Sequence, residues 1–128
     1  MGQDIKLTAS DGFKFGGYRA DPAGKPKAAI VVIQEIFGVN HHIRSVCDRL
    51  AAEGYVAIAP SIFDRIEPNF TSGYSPDEVA NARKFVANPD WAALLRDMVP
   101  GDCPVRGLIR FRWRAGLGMV SVRMAAMA

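Results

Sequence analysis

The most informative hydrophobic pattern in this chain is a continuous apolar run at residues 28–33, which ends abruptly at the polar pair Gln34-Glu35. An unbroken run of this length predicts a strand that is buried on both faces. A helical pattern begins at residue 41, and a second apolar run follows at residues 55–60. Strand, helix and strand with short links predict a βαβ unit with parallel strands. Glu35 is then expected at the carboxyl end of the sheet, where open α/β sheets bind their ligands.

Weaker periodicities flank this unit. Residues 3–8 and 13–18 surround the turn signal Ser10-Asp-Gly12 and predict an antiparallel hairpin. Asn40 is a preferred N-cap residue and Gly54 a typical C-cap residue, so both ends of the intervening helix are marked. The apolar stripe of this helix comprises Ile43, Val46, Cys47, Leu50 and Ala51.

Two further helices are predicted after a long loop at residues 61–74. Ser75-Pro-Asp-Glu78 combines a capping box with proline at the first helical position, and Asn88-Pro89 ends that helix. Asp90 is a candidate cap for the next one. The residues expected to face inward are Val79, Ala82 and Val86 in the first helix, and Trp91, Leu94, Leu95 and Met98 in the second.

Charge divides the chain near residue 99. Residues 99–128 hold five arginines, one acidic residue and no lysine, whereas residues 1–98 carry a net charge of −1. Periodicity also degrades there, and only short strands are predicted, at residues 108–113 and 116–122. We therefore predict an α/β unit at 1–98 and a divergent tail at 99–128. No apolar stretch reaches membrane-spanning length and no export signal precedes residue 8, so a cytoplasmic location is expected.

Residues 1–98 resemble the dienelactone hydrolase family, a branch of the α/β-hydrolase fold. The resemblance is carried by Gln34-Glu-Ile-Phe-Gly-Val-Asn40, by Cys47-Asp-Arg-Leu-Ala-Ala-Glu-Gly-Tyr55 and by Ala59-Pro60. It implies the N-terminal part of an α/β-hydrolase fold: a mostly parallel sheet with flanking helices, which starts with an antiparallel hairpin. It also implies hydrolysis of a small carboxylic ester or lactone, as in carboxymethylenebutenolidases, by a Cys-His-Asp triad.

The resemblance assigns roles to two residues. Glu35 matches the family carboxylate that contacts the nucleophilic cysteine and helps to govern its ionisation. The backbone N–H of Ile36 matches a donor of the oxyanion hole, which is chemistry that acyl transfer requires. No cofactor is expected, because the chain has no glycine-rich phosphate loop, dinucleotide fingerprint or zinc-ligand spacing.

The chain departs from the family at the nucleophile. The elbow motif Gly-x-Cys-x-Gly-Gly does not occur in the sequence; aligned on it, Ser121 replaces the first glycine and Arg123 the cysteine. The triad Asp and His are not found either. An out-of-frame reading, a truncation and genuine divergence each explain the tail. We expect the 128-residue chain to be inactive or nearly so.

Several side chains have two interpretations. Glu35 is either a site residue or a strand-end carboxylate paired with an arginine. His41 and His42 either line a pocket or begin a helix at the surface. Arg83 and Lys84 either hold an anionic substrate or form a solvated helix face. Cys47 is expected in the core.

Further alternatives concern the nucleophile and the tail. Cys103 is a candidate nucleophile by position only, because its Gly-Asp-Cys-Pro context lacks the strand–turn–helix setting that activates a thiol. Ser61 and Ser121 lack a Gly-x-Ser-x-Gly setting. The arginine-rich tail, with Phe111 and Trp113, defines a competing class: a non-catalytic binding module that contacts nucleic acid or another chain. An incomplete sheet would also favour self-association.

Overall fold

A computed structural model of the protein describes residues 2–98, 109–111 and 121–124. The described strands form one sheet in the order β1-β2-β4-β3-β6-β5. In chain order the elements are β1 (Gln3–Thr8), β2 (Lys14–Ala20), β3 (Ala28–Val32), α1 (His41–Ala52), β4 (Tyr55–Pro60), α2 (Pro76–Arg83), α3 (Trp91–Met98), β5 (Ile109–Phe111) and β6 (Ser121–Met124). None of the helices in these ranges is long and apolar enough to cross a membrane.

The predicted hairpin and βαβ unit are both confirmed. β1 and β2 pair antiparallel, from Gln3 opposite Arg19 to Thr8 opposite Lys14. β3 and β4 pair parallel in register from Ala28 opposite Tyr55, and α1 joins them. The apolar run at residues 28–33 therefore forms an inner strand, as its composition requires.

The expected predominance of parallel pairing is not found among the described strands. Of the pairings, only β3–β4 is parallel; β1–β2, β2–β4, β3–β6 and β5–β6 are antiparallel. Parallel neighbours need a crossover connection, and α1 is the only helix in these ranges that connects two adjacent strands. The α/β class with an antiparallel N-terminal hairpin is correct, but the sheet is mixed.

The sheet separates two apolar clusters. One face carries Leu7, Phe15, Val31 and Ile58. The other face packs against α1, where the predicted stripe is confirmed by the burial of Ile43 and Cys47.

The loop after β4 and the last two helices form a third cluster, which contains Phe63, Phe85 and Leu94. The capping box of α2 forms as predicted. The inward-facing prediction is wrong for three residues, because Val86 is exposed and α3 turns Trp91 and Leu95 to the surface. A turn of 3-10 helix at residues 84–86 buries Phe85 in place of Val86.

Candidate active site

Glu35 begins a tight turn three residues after the end of β3. Glu35 and Gly38 face each other in an isolated bridge, and Gly38 also bridges to Thr71 in the segment that precedes α2. The Ser72 N–H donates to the Phe37 carbonyl oxygen at 3.0 Å. The turn at residues 35–38 is thus held at the carboxyl end of the parallel pair by the segment at residues 70–72.

Gly38 is required by this geometry. Its φ is +79°, a conformation that residues with a Cβ rarely adopt. A Cβ at this position would also overlap the Phe70 carbonyl oxygen. Glycine therefore allows both the turn and the close approach of the two segments.

Gln34 links the turn to the loop after β4. Its side chain is buried, with 7% exposure. The Ile62 N–H donates to Gln34 Oε1 at 3.0 Å, and Gln34 Nε2 donates to the Glu35 carbonyl oxygen at 3.1 Å. Both polar groups of this buried amide are satisfied, which is what burial of an amide requires.

The resemblance assigns roles to Glu35 and Ile36, and the polar group of each that matters for its role has no partner among the described residues. Glu35 is exposed, and its carboxylate has no hydrogen bond or ion pair to any residue that the structure describes. This excludes, for residues 2–98, the alternative in which an arginine neutralises Glu35. The Ile36 N–H likewise has no acceptor among the described residues. A free backbone donor therefore lies beside a free carboxylate.

Asn40 ties the start of α1 to the same region. It is the N-cap that the sequence predicts, since its Oδ1 accepts from the Ile43 N–H at 3.2 Å. Its Nδ2 donates to the Tyr74 hydroxyl at 3.1 Å, and the Tyr74 ring packs edge-on against Phe37 at 4.6 Å between centroids. Residues 37, 40 and 74 thereby form one wall beside the turn.

The positions of the two histidines fit both interpretations, since they begin α1 at the surface and also line a groove. His41 and His42 are exposed at the first turn of α1. They line an open groove of about 610 Å³ with Asn40, Arg44 and residues 71–74. In the described ranges no cluster of His, Cys, Asp and Glu side chains has the arrangement of a metal site.

The loop after β4 is anchored by an ion-pair network. Arg65 Nε and Nη2 donate to the two carboxylate oxygens of Asp97 at 2.6 and 2.9 Å, and Nη2 also donates to Asp11 at 2.9 Å. Asp97 is only 1% exposed, and Arg96 donates to the second oxygen of Asp11. The hydrogen bond from Arg65 holds the pKa of the Asp11 carboxyl well below its usual value. The network joins the β1–β2 turn, this loop and α3.

Cys47 is the core residue that the helix stripe predicts. It is fully buried, and burial raises the pKa of its thiol to about 12.

Because the thiolate is the reactive form, we expect iodoacetamide at pH 8 to modify Cys47 at least about a hundredfold more slowly in the folded protein than in urea. Mass spectrometry of the alkylated chain measures this, and rapid alkylation of folded Cys47 would contradict it. The raised pKa also stabilises the fold below about pH 8.5, an effect lost progressively up to about pH 12.

The described part of the segment that aligns with the nucleophile elbow, residues 121–124, forms strand β6. Ser121 lies opposite Val32 and Val122 opposite Val31 in the antiparallel pair β3–β6. Position 123 therefore lies further from the Glu35 end of the sheet than Ser121. Cys103 and Trp113 lie outside the described residues.

The remaining candidates that the structure describes make contacts with residues outside this turn. Lys84 pairs with Glu67 at 3.5 Å, and Arg83 is exposed, which fits a solvated face on α2. The Ser61 N–H donates to Gly16 in β2. Arg110 and Phe111 lie in β5.

Three residues support the site in ways that the sequence did not predict: Gln34, Arg65 and Asp97. Gln34 was visible as the residue at which the apolar run stops, but its role depends on Ile62. Asp97 falls on the helix position that faces Arg65, and an isolated charged residue in an amphipathic helix carries no signal of burial.

A parallel β3–α1–β4 unit, an antiparallel entry hairpin and a polar turn at the carboxyl end of the inner strand agree with the amino-terminal part of an α/β-hydrolase fold. A model of the dienelactone hydrolase family matches residues 15–99. The chain therefore belongs to the dienelactone hydrolase family.

Individual relatives agree with this assignment. A Synechocystis protein that carries the name carboxymethylenebutenolidase is 43% identical over 103 residues, which cover 77% of this chain and 42% of that protein. One of the same name from Azospirillum brasilense is 50% identical over 66 residues, or 51% of this chain and 29% of that protein. The crystal structure of a Klebsiella pneumoniae protein named as a dienelactone hydrolase is 34% identical, with a TM-score of 0.56 over 77% of this chain and 41% of that one. The chain thus spans less than half the length of these relatives.

Proposed function

We propose that residues 1–98 supply the amino-terminal half-site of a carboxylic ester or lactone hydrolase of the carboxymethylenebutenolidase type. The observation that carries this proposal is that one turn at the carboxyl end of β3 holds both the exposed Glu35 carboxylate and the Ile36 N–H, which has no acceptor in the part of the chain that the structure describes. Acyl transfer needs a group that accepts the proton of the nucleophile and a donor aimed at the developing oxyanion.

In the proposed reaction the Glu35 carboxylate accepts the proton of a cysteine thiol that lies outside this half-site. The thiolate attacks the ester carbonyl carbon, and the carbonyl oxygen becomes an oxyanion that accepts a hydrogen bond from Ile36. Collapse of the tetrahedral intermediate breaks the ester C–O bond and expels the alkoxide, which takes the proton that Glu35 had accepted. Water then attacks the thioester carbonyl carbon: its hydroxyl group completes the released acid, and its other proton returns to the cysteine sulfur. The neighbouring groove, which Asn40, Tyr74 and residues 71–73 line, has a volume of about 610 Å³, within the usual range for small-molecule sites.

The isolated 128-residue chain is expected to show no turnover of p-nitrophenyl acetate above the uncatalysed rate, because its sequence contains no Gly-x-Cys-x-Gly-Gly motif. Turnover that thiol alkylation abolishes and that Cys103→Ser eliminates would contradict this expectation and assign the nucleophile to Cys103.

The half-site itself is tested in a chimera. Residues 15–98 replace the matching segment of the Synechocystis relative, after that relative has been shown to hydrolyse the same ester. We expect the chimera to retain activity and Glu35→Gln to lower its kcat/KM by about a hundredfold, the usual range for loss of a proton-transfer group. Glu53→Gln, which changes an exposed glutamate after α1, is the matched control. Equal activity of both variants would refute the role of Glu35.

A further inference from the structure

Gln34 is a buried polar residue that no step of the proposed reaction uses. Its amide makes one hydrogen bond to each of two segments: it accepts from Ile62 in the loop after β4 and donates to the Glu35 carbonyl oxygen. Only a side chain that accepts and donates at the same time satisfies both partners. Since the chain holds Gln34 almost fully out of solvent, water does not substitute easily for either bond.

The acceptor of the second bond belongs to the same peptide group as the Ile36 N–H. The Glu35 carbonyl and the Ile36 N–H lie in one plane and, in the trans form, point in opposite directions. Fixing the carbonyl oxygen therefore fixes the direction of the N–H. The Gly38 N–H is a second donor to that oxygen, at a longer 3.3 Å, so the carbonyl is held on one side of the turn while the N–H is directed to the other.

We infer that Gln34 is the positioning residue of the oxyanion donor: through the Glu35 carbonyl it aims the Ile36 N–H at the reacting carbonyl oxygen. The role of the N–H as a donor rests on the proposed function; its orientation by Gln34 does not. The hydrogen bond from the Ile62 N–H also connects Gln34 to the loop after β4. This loop is bound to β2, because the Asp64 carboxylate accepts from the Gly16 N–H at 2.7 Å. The donor is thereby oriented relative to the sheet rather than to its own turn alone.

The test measures the backbone N–H order parameters of the full 128-residue chain by ¹⁵N relaxation. Gln34→Glu keeps an acceptor for Ile62 but at neutral pH has no donor for the Glu35 carbonyl, and Gln34→Met keeps neither group. We expect the Ile36 order parameter to fall from about 0.85 to below about 0.6 in both variants, with Val31 and Ile58 in the central strands unchanged. Slowed exchange of the Ile62 N–H is expected to persist in Gln34→Glu and to be lost in Gln34→Met.

Gln3→Glu makes the same chemical change at an exposed position of β1 and is expected to leave the Ile36 order parameter unchanged. An unchanged Ile36 order parameter in both Gln34 variants would overturn the inference. So would a uniform loss of order or of the fold in both, which would show that Gln34 acts only in stability. Because this readout requires no turnover, an inactive chimera would refute the proposed function without affecting the positioning of the N–H.

Discussion

Replacing Gly38 with alanine is expected to lower the free energy of unfolding by about 3 kcal/mol, the sum of a backbone and a steric cost. The backbone cost arises because an L-residue at a φ of +79° loses about 1–2 kcal/mol. The steric cost arises because the new methyl group would overlap the Phe70 carbonyl oxygen, which belongs to the backbone and cannot rotate away. Urea denaturation of the chain measures the change.

Alanine substitutions at two other glycines allow the backbone cost and the steric cost to be measured separately. Gly12 has a φ of +89° but open space where a Cβ would lie, so Gly12→Ala is expected to cost only the backbone part, about 1–2 kcal/mol. Gly24 also has open space and lacks a positive φ, so Gly24→Ala is expected to be neutral or slightly stabilising. Equal losses at positions 38 and 12 would show that the approach of residues 38 and 70 is not close in solution.

Arg65→Met is the second large effect, with an expected loss of about 3 kcal/mol at pH 7, the low end for leaving a buried charge unpaired. Methionine keeps most of the side-chain length but leaves Asp97, which is 1% exposed, without the bidentate partner that neutralises it. We place the loss at the low end because Arg65 itself is 23% exposed. The control Lys84→Met removes an exposed pair with Glu67 and should cost less than about 1 kcal/mol.

The pH dependence of the free energy of unfolding independently tests the interaction of Arg65 with Asp11. The hydrogen bond from Arg65 depresses the pKa of Asp11, so Asp11 contributes stability above its unfolded pKa of about 3.9, and that contribution is lost as the pH falls through the folded value. On acidification the free energy of unfolding of the wild-type chain therefore falls by more than that of Arg65→Met. The difference in free energy of unfolding between the two chains narrows below about pH 4. A constant difference from pH 7 to pH 3 would contradict the assignment.

Local signals account for most of the elements of the fold. Asn40 caps α1 and the Ser75–Glu78 box caps α2, because each cap uses groups within three residues of one another. The predictions that are wrong concern which helix residues are buried and in which direction neighbouring strands pair. Val86 lies on the expected face of an ideal helix, but the 3-10 turn shifts the face by one residue and buries Phe85. The pairing direction of β6 depends on a connection that no local pattern encodes.

The β3–α1–β4 unit, the helix caps and the position of Glu35 and Ile36 after β3 could all be predicted from the chain, because apolar runs and caps act over a few residues. The contacts that hold this turn could not be predicted, because they join segments that are distant in the chain. Gln34 reaches Ile62, 28 residues away, and Arg65 reaches Asp97, 32 residues away. A buried amide or carboxylate looks like any polar residue until its partner is known, since burial of such a group is favourable only where a second segment completes its hydrogen bonds.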